Sequence, residues 1–335
     1  MDVIIKRNFR KQGKSLKKVL VTGATGFVGS FLCSRLLAGG YSVRGTLLDS
    51  EPTSALVHGV EGVEVEPLGA HTRWSQALMG VDTVIHLAAR VHVMDDPSSD
   101  PLAIFRMVNV DGTIRLARES VTAGVRRLLF ISSIKVNGEE SDTPYSADSP
   151  PNPSDPYGIS KWEAEQALRQ IEKETGLKVV IVRPTLVYGP GVKANFLNMM
   201  KAVHRGIPLP LDSITNKRSL IYVENLVDAL VTCATHPAAA GQTYLVSDVE
   251  HVSTPELIRR TAAALNVPVR LSPFPVPLMR LIGKIAGKSA AVNRLAGSLT
   301  VDDLKIRHEL GWQPPFSMEE GLSETAEWFN RQIKE

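Results

Sequence analysis

Tyr157-Gly158-Ile159-Ser160-Lys161 places a phenol and an ammonium four residues apart, on one face of an expected helix. A free tyrosine titrates near ~10 and is a poor base at neutral pH. A neighbouring cation favours the phenolate and draws that pKa toward the range of a general acid/base. Alone, the same spacing describes an ordinary helix-surface pair. Upstream, however, Gly23-Ala24-Thr25-Gly26-Phe27-Val28-Gly29 follows directly on the apolar run Lys18–Thr22. The two features together indicate hydride chemistry on a nicotinamide cofactor.

The glycine spacing is G-x-x-G-x-x-G. Small residues there let the backbone turn tightly and approach a pyrophosphate, whose charge is met by amides at a helix N-terminus. Three glycines after a buried-strand pattern carry much more weight than three glycines at an isolated turn. Leu128–Ser132 is a second buried run, and it ends in hydroxyls at Ser132-Ser133. Strand C-terminal ends are where open α/β sheets bind ligands. Ser133 read alone is a turn cap; beside Tyr157 and Lys161 it reads as a hydrogen-bond donor to a substrate carbonyl or hydroxyl.

These groups need a scaffold, and the pattern supplies one. Strands are expected at 18–22, 42–47, 63–66, 83–87, 128–132 and 178–182. Helices are expected at 28–38, 102–123 and 155–175. Alternation of this kind predicts an α/β fold: a Rossmann-type, doubly wound parallel sheet. After Arg183-Pro184 proline, glycine and asparagine become frequent, which reads as a smaller, mixed C-terminal lobe on the substrate side. Residues 221–247 return to the first domain, and 252–265 and 318–333 read as helices of the lobe. The expected units are a basic tail at 1–17, a cofactor domain at 18–188 with 221–247, and a lobe at 189–220 with 248–335.

The chain has 335 residues, with 43% hydrophobic and 22% charged residues, as in ordinary globular proteins. Its formal charge of +3 is uneven. Residues 1–18 hold seven Lys/Arg and one Asp, so the remainder is at −3. A mildly acidic body gives no reason to expect nucleic-acid binding. The tail lacks the apolar core of a secretory signal. The two cysteines, Cys33 and Cys233, suit a reducing cytoplasm rather than a disulfide framework. No metal-ligand spacing is present, and no run is apolar for the length of a bilayer. Segment 276–287 is amphipathic; packing on its own domain is the expectation, and lying on a membrane the alternative.

With Thr22–Gly29, His86-Leu87-Ala88-Ala89, Asn109-Val110-Asp111-Gly112-Thr113, Ser132-Ser133, Tyr157/Lys161, Arg183-Pro184, Gly189-Pro190-Gly191 and Arg218–Val223 in place, the chain resembles an extended short-chain dehydrogenase/reductase of the nucleotide-sugar epimerase/dehydratase group. The likeness covers roughly residues 18–330. It implies a cytoplasmic homodimer that binds NAD or NADP and a UDP-sugar. Ser133, Tyr157 and Lys161 would be catalytic, with Lys161 lowering the Tyr157 pKa and holding the nicotinamide ribose. Gly23, Thr25, Gly26, Phe27, Val28, Arg44, Leu68, Leu87, Ala88, Ala89 and Pro184 would join Tyr157 and Lys161 around the cofactor. His92, Asn195 and Arg218 would face the sugar nucleotide, Arg218 at its diphosphate. Asn109 would support the active site.

The chain departs from the group in four places, one of them Leu304 where a Ser is usual before Lys305. Ser133 is followed by Ile134-Lys135, where the group's dehydratases carry Asp-Glu, which sets dehydration aside. The end of the second strand, Arg44-Gly45-Thr46-Leu47-Leu48-Asp49, lacks the acid expected near Leu47 to grip the NAD ribose, and Arg44 stands nearby. That leaves NADP(H) open beside NAD. Pro67 stands where an adenine-contacting Asp is common. A closer resemblance, carried by His86–Met94, Ser133–Gly138 and Val192–Phe196, is to bacterial polysaccharide-cluster 4-ketoreductases that form UDP-N-acetylquinovosamine. It implies reduction of a UDP-4-keto-6-deoxy sugar. A UDP-glucose or UDP-N-acetylglucosamine 4-epimerase is the second reading, since the same catalytic groups serve both. A cofactor-binding regulator without catalysis is a remote third, disfavoured by the intact Ser133, Tyr157 and Lys161.

Overall fold

The computed structural model describes residues 18–91 and 100–334. The elements run β1 (Lys18–Thr22), α1 (Phe27–Ala38), β2 (Ser42–Leu47), β3 (Glu61–Glu64), α2 (Ser75–Leu78), β4 (Thr83–His86), α3 (Pro101–Phe105), a π-helical segment (Arg106–Asp111), α4 (Gly112–Thr122), β5 (Arg127–Ile131), α5 (Pro156–Thr175), β6 (Lys178–Pro184), β7 (Leu186–Tyr188), α6 (Ala194–His204), β8 (Arg218–Tyr222), α7 (Val223–Thr235), β9 (Thr243–Val246), β10 (His251–Val252), α8 (Thr254–Leu265), α9 (Val276–Ile285), α10 (Ser289–Ala296), α11 (Leu304–Leu310) and α12 (Met318–Lys334).

Seven strands form one parallel sheet in the order β3-β2-β1-β4-β5-β6-β9. The β1–β4 neighbourhood is the topological switch point, where open α/β sheets leave a crevice at the strand C-termini. The period of two is visible in burial. Val19 and Val21 pack into the core under α1 and α7, whereas Leu20 faces the opposite core with Trp74, Leu116 and Leu168. Because both faces are covered, the strands are continuous hydrophobic runs rather than alternating ones. This confirms the expected Rossmann-type sheet.

The smaller sheet, β10-β8-β7, joins β8 in parallel to β7 and antiparallel to β10. Ile221 and Tyr222 therefore lie in this sheet, although Ile221 still packs into the core of the large one. Helix α7 and strand β9 return to the large sheet. Tyr188, Phe196, Met200, Ile258, Leu322 and Phe329 form the separate core of the lobe. Among the described residues no helix is long and apolar enough to cross a membrane.

The helix expected over 102–123 is one continuous rod with a wide turn in it. Residues 106–111 are π-helical. Such a bulge carries one extra residue per turn and often marks a functional site. Here it contains Asn109, which is 2% exposed and turned into the protein.

Candidate active site

The first part of the site is the turn after β1. Gly23 has φ +69°, and a Cβ on it would stand 3.0 Å from the Ala88 amide nitrogen. Both facts require glycine, and together they bring the β1 and β4 ends into contact. A Cβ on Gly29 would meet the Gly23 carbonyl at 2.0 Å, so α1 starts flush against the turn. No side chain caps α1. The amides of its first turn, at Phe27 and Val28, are therefore directed at whatever anion the turn holds. Leu87, Ala88 and Ala89 are half-buried beside it at the end of β4.

Strand β2 ends next to the same turn. An acid does stand there, Glu51. The chain folds back after Leu48, with the Glu51 amide bonded to the Leu48 carbonyl at 2.9 Å. The Glu51 carboxylate accepts from Thr25 Oγ1 at 2.7 Å and from the Leu48 amide at 2.8 Å. A carboxylate at this strand end fits a ribose diol and repels a 2′-phosphate. The signal in the sequence was the acid pair Asp49 and Glu51 just past the strand, displaced by the turn. Arg44, expected here, is not. Its guanidinium is buried and donates to Glu61 and to the carbonyls of Gln76, Ala77 and Met79. It ties β2 to β3 and to the α2 region. Leu68 packs half-buried against the core and lies where Gly112 approaches it closely.

The second part lies across β5, α5 and β6. Asp155 caps α5, accepting from the Gly158 amide at 2.7 Å, with Pro156 at the first helical position. This fixes where the helix begins, and so where Tyr157 and Lys161 project. Lys135, the residue that departs from the dehydratase pattern, pairs with Asp155 and Glu139. Its role is to hold the start of α5. Ser133 is half-buried just past β5, accepts from the Lys135 amide at 3.2 Å, and lies beside the Tyr157 phenol. Pro184 closes β6, buried at the same edge.

Tyr157 and Lys161 differ from the expected pair in electrostatics. Burial pushes the Tyr157 phenol up to about 12, with Asp155 adding to the rise and the Ser133 hydrogen bond opposing it. Burial draws the Lys161 ammonium down to about 7, against the pull of Glu165. Lys161 Nζ donates to the Ile131 carbonyl at 2.8 Å and stands 4.5 Å from the centre of the Phe130 ring. The expected lowering of the Tyr157 pKa is not seen in the protein by itself: burial dominates, and the phenol is pushed up.

Two buried networks fix these groups; the sequence motifs named several of their members, and only the fold shows how they connect. In the first, the Ala88 amide donates to Thr22 Oγ1 at 3.1 Å, and Thr22 lies 2.7 Å from His86 Nδ1. His86 Nε2 lies 3.0 Å from Thr113 Oγ1, which donates to the Asn109 carbonyl. The Thr113 hydroxyl proton is thus spent, so the imidazole proton is assigned to Nε2. The ring is neutral: burial, then Lys161, lowers its pKa to about 3. The Asn109 side chain holds the Arg90 backbone in both directions and donates to Ser160 Oγ, which donates to the Tyr157 carbonyl. The cofactor turn and the catalytic helix are thereby joined.

The second network is the Glu165–Arg183 pair, with side chains 2% and 4% exposed. Arg183 donates to both Glu165 oxygens at 2.9 and 2.5 Å and to Asn137 at 3.0 Å, and Ser132 donates to Glu165. It locks α5 to β6 and to the strand end that carries Ser133.

Of the sugar-side residues, Arg218 is largely buried at the start of β8. Its Nη1 donates to the Arg294 and Gly297 carbonyls at 3.1 Å each. Asn195 is exposed on the first turn of α6. His92 lies outside the described residues.

A seven-stranded Rossmann sheet with a glycine turn, a carboxylate just past the end of β2 and a Ser/Tyr/Lys group at one edge defines a nicotinamide-dependent enzyme of the short-chain dehydrogenase/reductase type. The chain belongs to the NAD dependent epimerase/dehydratase family, whose model matches residues 19–247. It is 46% identical over 94% of its length to a UDP-glucose 4-epimerase of Vibrio cholerae, covering 96% of that protein. It is 28% identical to the N-acetyl-alpha-D-glucosaminyl-diphospho-ditrans,octacis-undecaprenol 4-epimerase of Escherichia coli O157:H7, covering 92% of this chain and 94% of that one. Among solved structures it is similar to MoeE5 in complex with UDP-glucose and NAD, with a TM-score of 0.76, 28% identity, and coverage of 94% and 99% of the two chains. The protein is thus an NAD-dependent enzyme of the nucleotide-sugar epimerase/dehydratase type.

Proposed function

We propose that the protein interconverts C4 epimers of a UDP-hexose, with NAD retained through the cycle. The observation that carries this is the 46% identity, over nearly the whole chain, to a UDP-glucose 4-epimerase. The Glu51 carboxylate beside the glycine turn supports a retained NAD, as an epimerase needs and a reductase does not.

The turn at Gly23, the amides of α1 and the Glu51 carboxylate fit the pyrophosphate and adenosine ribose of NAD, and Lys161 fits the nicotinamide ribose. Bound NAD supplies a hydride acceptor and later donor at the sugar C4, together with a positive charge that favours the phenolate. Tyr157 takes the O4 proton as the C4 hydride leaves, which generates the 4-ketone. Ser133 holds the ketone oxygen by a hydrogen bond. After the ketone turns over, Tyr157 returns the proton to O4 as hydride adds to the other face. Arg218, oriented by the Arg294 and Gly297 carbonyls, suits the diphosphate. The proposal includes a cytoplasmic homodimer, with Cys33 and Cys233 as buried free thiols.

The test is incubation of the purified protein with UDP-glucose and, separately, UDP-N-acetylglucosamine, with no added cofactor, followed by NMR. Equilibration of the C4 epimers is expected. Stoichiometric consumption of added NADPH by a 4-keto-6-deoxy sugar nucleotide, without epimerisation, would replace this reading with the reductase.

A further inference from the structure

Helix α9 is amphipathic in an unusual sense, because its outward face is apolar. Leu278, Leu281, Ile282 and Ile285 follow the spacing i, i+3, i+4, i+7 and form one stripe. They are 43% to 80% exposed, Ile285 the most. The helix packs inward through Gly283, where a Cβ would stand 2.6 Å from Val292 of α10. The apolar stripe is therefore surplus to the fold, and the expectation that this segment packs on its own domain holds only for its inner side.

The charge around the stripe has one sign. From residue 257 to residue 301 the chain holds seven Lys/Arg and no Asp or Glu. Four of them, Arg280, Lys284, Lys288 and Arg294, belong to the α9–α10 hairpin. Among the described residues none of the four forms an ion pair, whereas Arg259 and Arg260 are paired with Asp212, Glu250 and Glu256. A second copy of this chain would bring four more cations to the same face, and like charges oppose that contact. An anionic bilayer surface meets both features at once. The lipid headgroups attract the cations, and the acyl boundary takes the Leu/Ile stripe.

We infer that the α9–α10 hairpin is a peripheral docking element for anionic phospholipid membranes. Its place in the fold gives this a consequence. The last turn of α10 is held by Arg218 through the Arg294 and Gly297 carbonyls. Gly297 lies against Glu140, in the segment that follows Ser133. Docking would therefore hold the sugar-side edge of the candidate site close to the bilayer surface. This inference stands on α9 and its charges and does not depend on whether the enzyme is an epimerase or a reductase.

The experiment is co-sedimentation of the full chain with vesicles of phosphatidylcholine alone and with vesicles of equal parts phosphatidylcholine and phosphatidylglycerol. Binding is expected only to the second, weakening as salt is raised. Leu281→Asp combined with Ile285→Asp is expected to reduce partitioning by about tenfold or more, and Lys284→Glu with Lys288→Glu to reduce it as well. All four side chains are exposed, so circular dichroism and NAD binding should match the parent and exclude misfolding. Deletion of residues 1–17 controls for the basic tail and should leave binding in place. Failure to bind the anionic vesicles overturns the inference. So does binding that survives the Leu281/Ile285 change, binding that vanishes with the tail, or light scattering that shows a dimer dissociated by the same change.

Discussion

The Thr25 hydroxyl donates to the Glu51 carboxylate across 2.7 Å, which joins the glycine turn to the end of β2. The carboxylate is positioned by two hydrogen bonds before any ligand arrives. Glu51→Gln keeps the shape and removes the charge. A charge-assisted hydrogen bond is worth about 1.5–3 kcal/mol, so NAD affinity should fall by roughly tenfold or more. Discrimination against NADP should fall with it. Titration calorimetry with both nucleotides checks this, and an unchanged preference would remove Glu51 from the ribose site.

Tyr157→Phe deletes one oxygen and leaves the ring against Phe105. Turnover should drop by at least ~10²-fold, as for other positioned proton-transfer groups. NAD binding should change little. Steady-state rates and nucleotide titration separate the two effects, and near-parental turnover would dismiss the assignment.

Lys161 makes stability depend on pH. Its folded pKa of about 7 lies below the ordinary lysine value. Between about pH 7 and about pH 10 the unfolded chain binds more protons than the folded one, so stability rises with pH across that window. Below pH 7 both states are protonated and this contribution is flat. The rise should be on the order of a few kcal/mol. Lys161→Met should abolish it and should be more stable than the parent at pH 7. Thermal melts of both proteins across the window test the slope; parallel curves would show that Lys161 is not the group responsible.

The Glu165–Arg183 pair predicts an asymmetry. Glu165→Gln leaves a buried guanidinium without its counter-charge and should cost about 3–5 kcal/mol. The double change Glu165→Leu with Arg183→Met should cost much less in stability, yet it should still slow turnover, because Ser132 and Asn137 lose their anchor beside Ser133. Chemical denaturation together with rate measurements distinguishes this from a purely structural role, in which rate would follow stability.

What the sequence determined by itself was whatever depends on near neighbours. The β1–turn–α1 unit was legible because an apolar run, three glycines and a helix start lie within twelve consecutive residues. The Tyr157–Lys161 pair was legible because helical geometry alone puts i and i+4 on one face. The sheet followed from alternating strands and helices, since buried parallel strands must be hydrophobic on both sides. Tertiary structure decided what depends on distant partners. Arg44 reads as a cofactor residue until Gln76, Ala77 and Met79 bring their carbonyls to it. Glu51 does not show beside the glycine turn until the chain folds back at Leu48. The wide turn at 106–111, which carries Asn109 to Arg90 and Ser160, does not show in the helical pattern. The direction of the Tyr157 pKa shift reversed for the same reason: a sequence shows which charges are near, whereas desolvation is set by everything packed around them, and that sum is known only once the chain has folded.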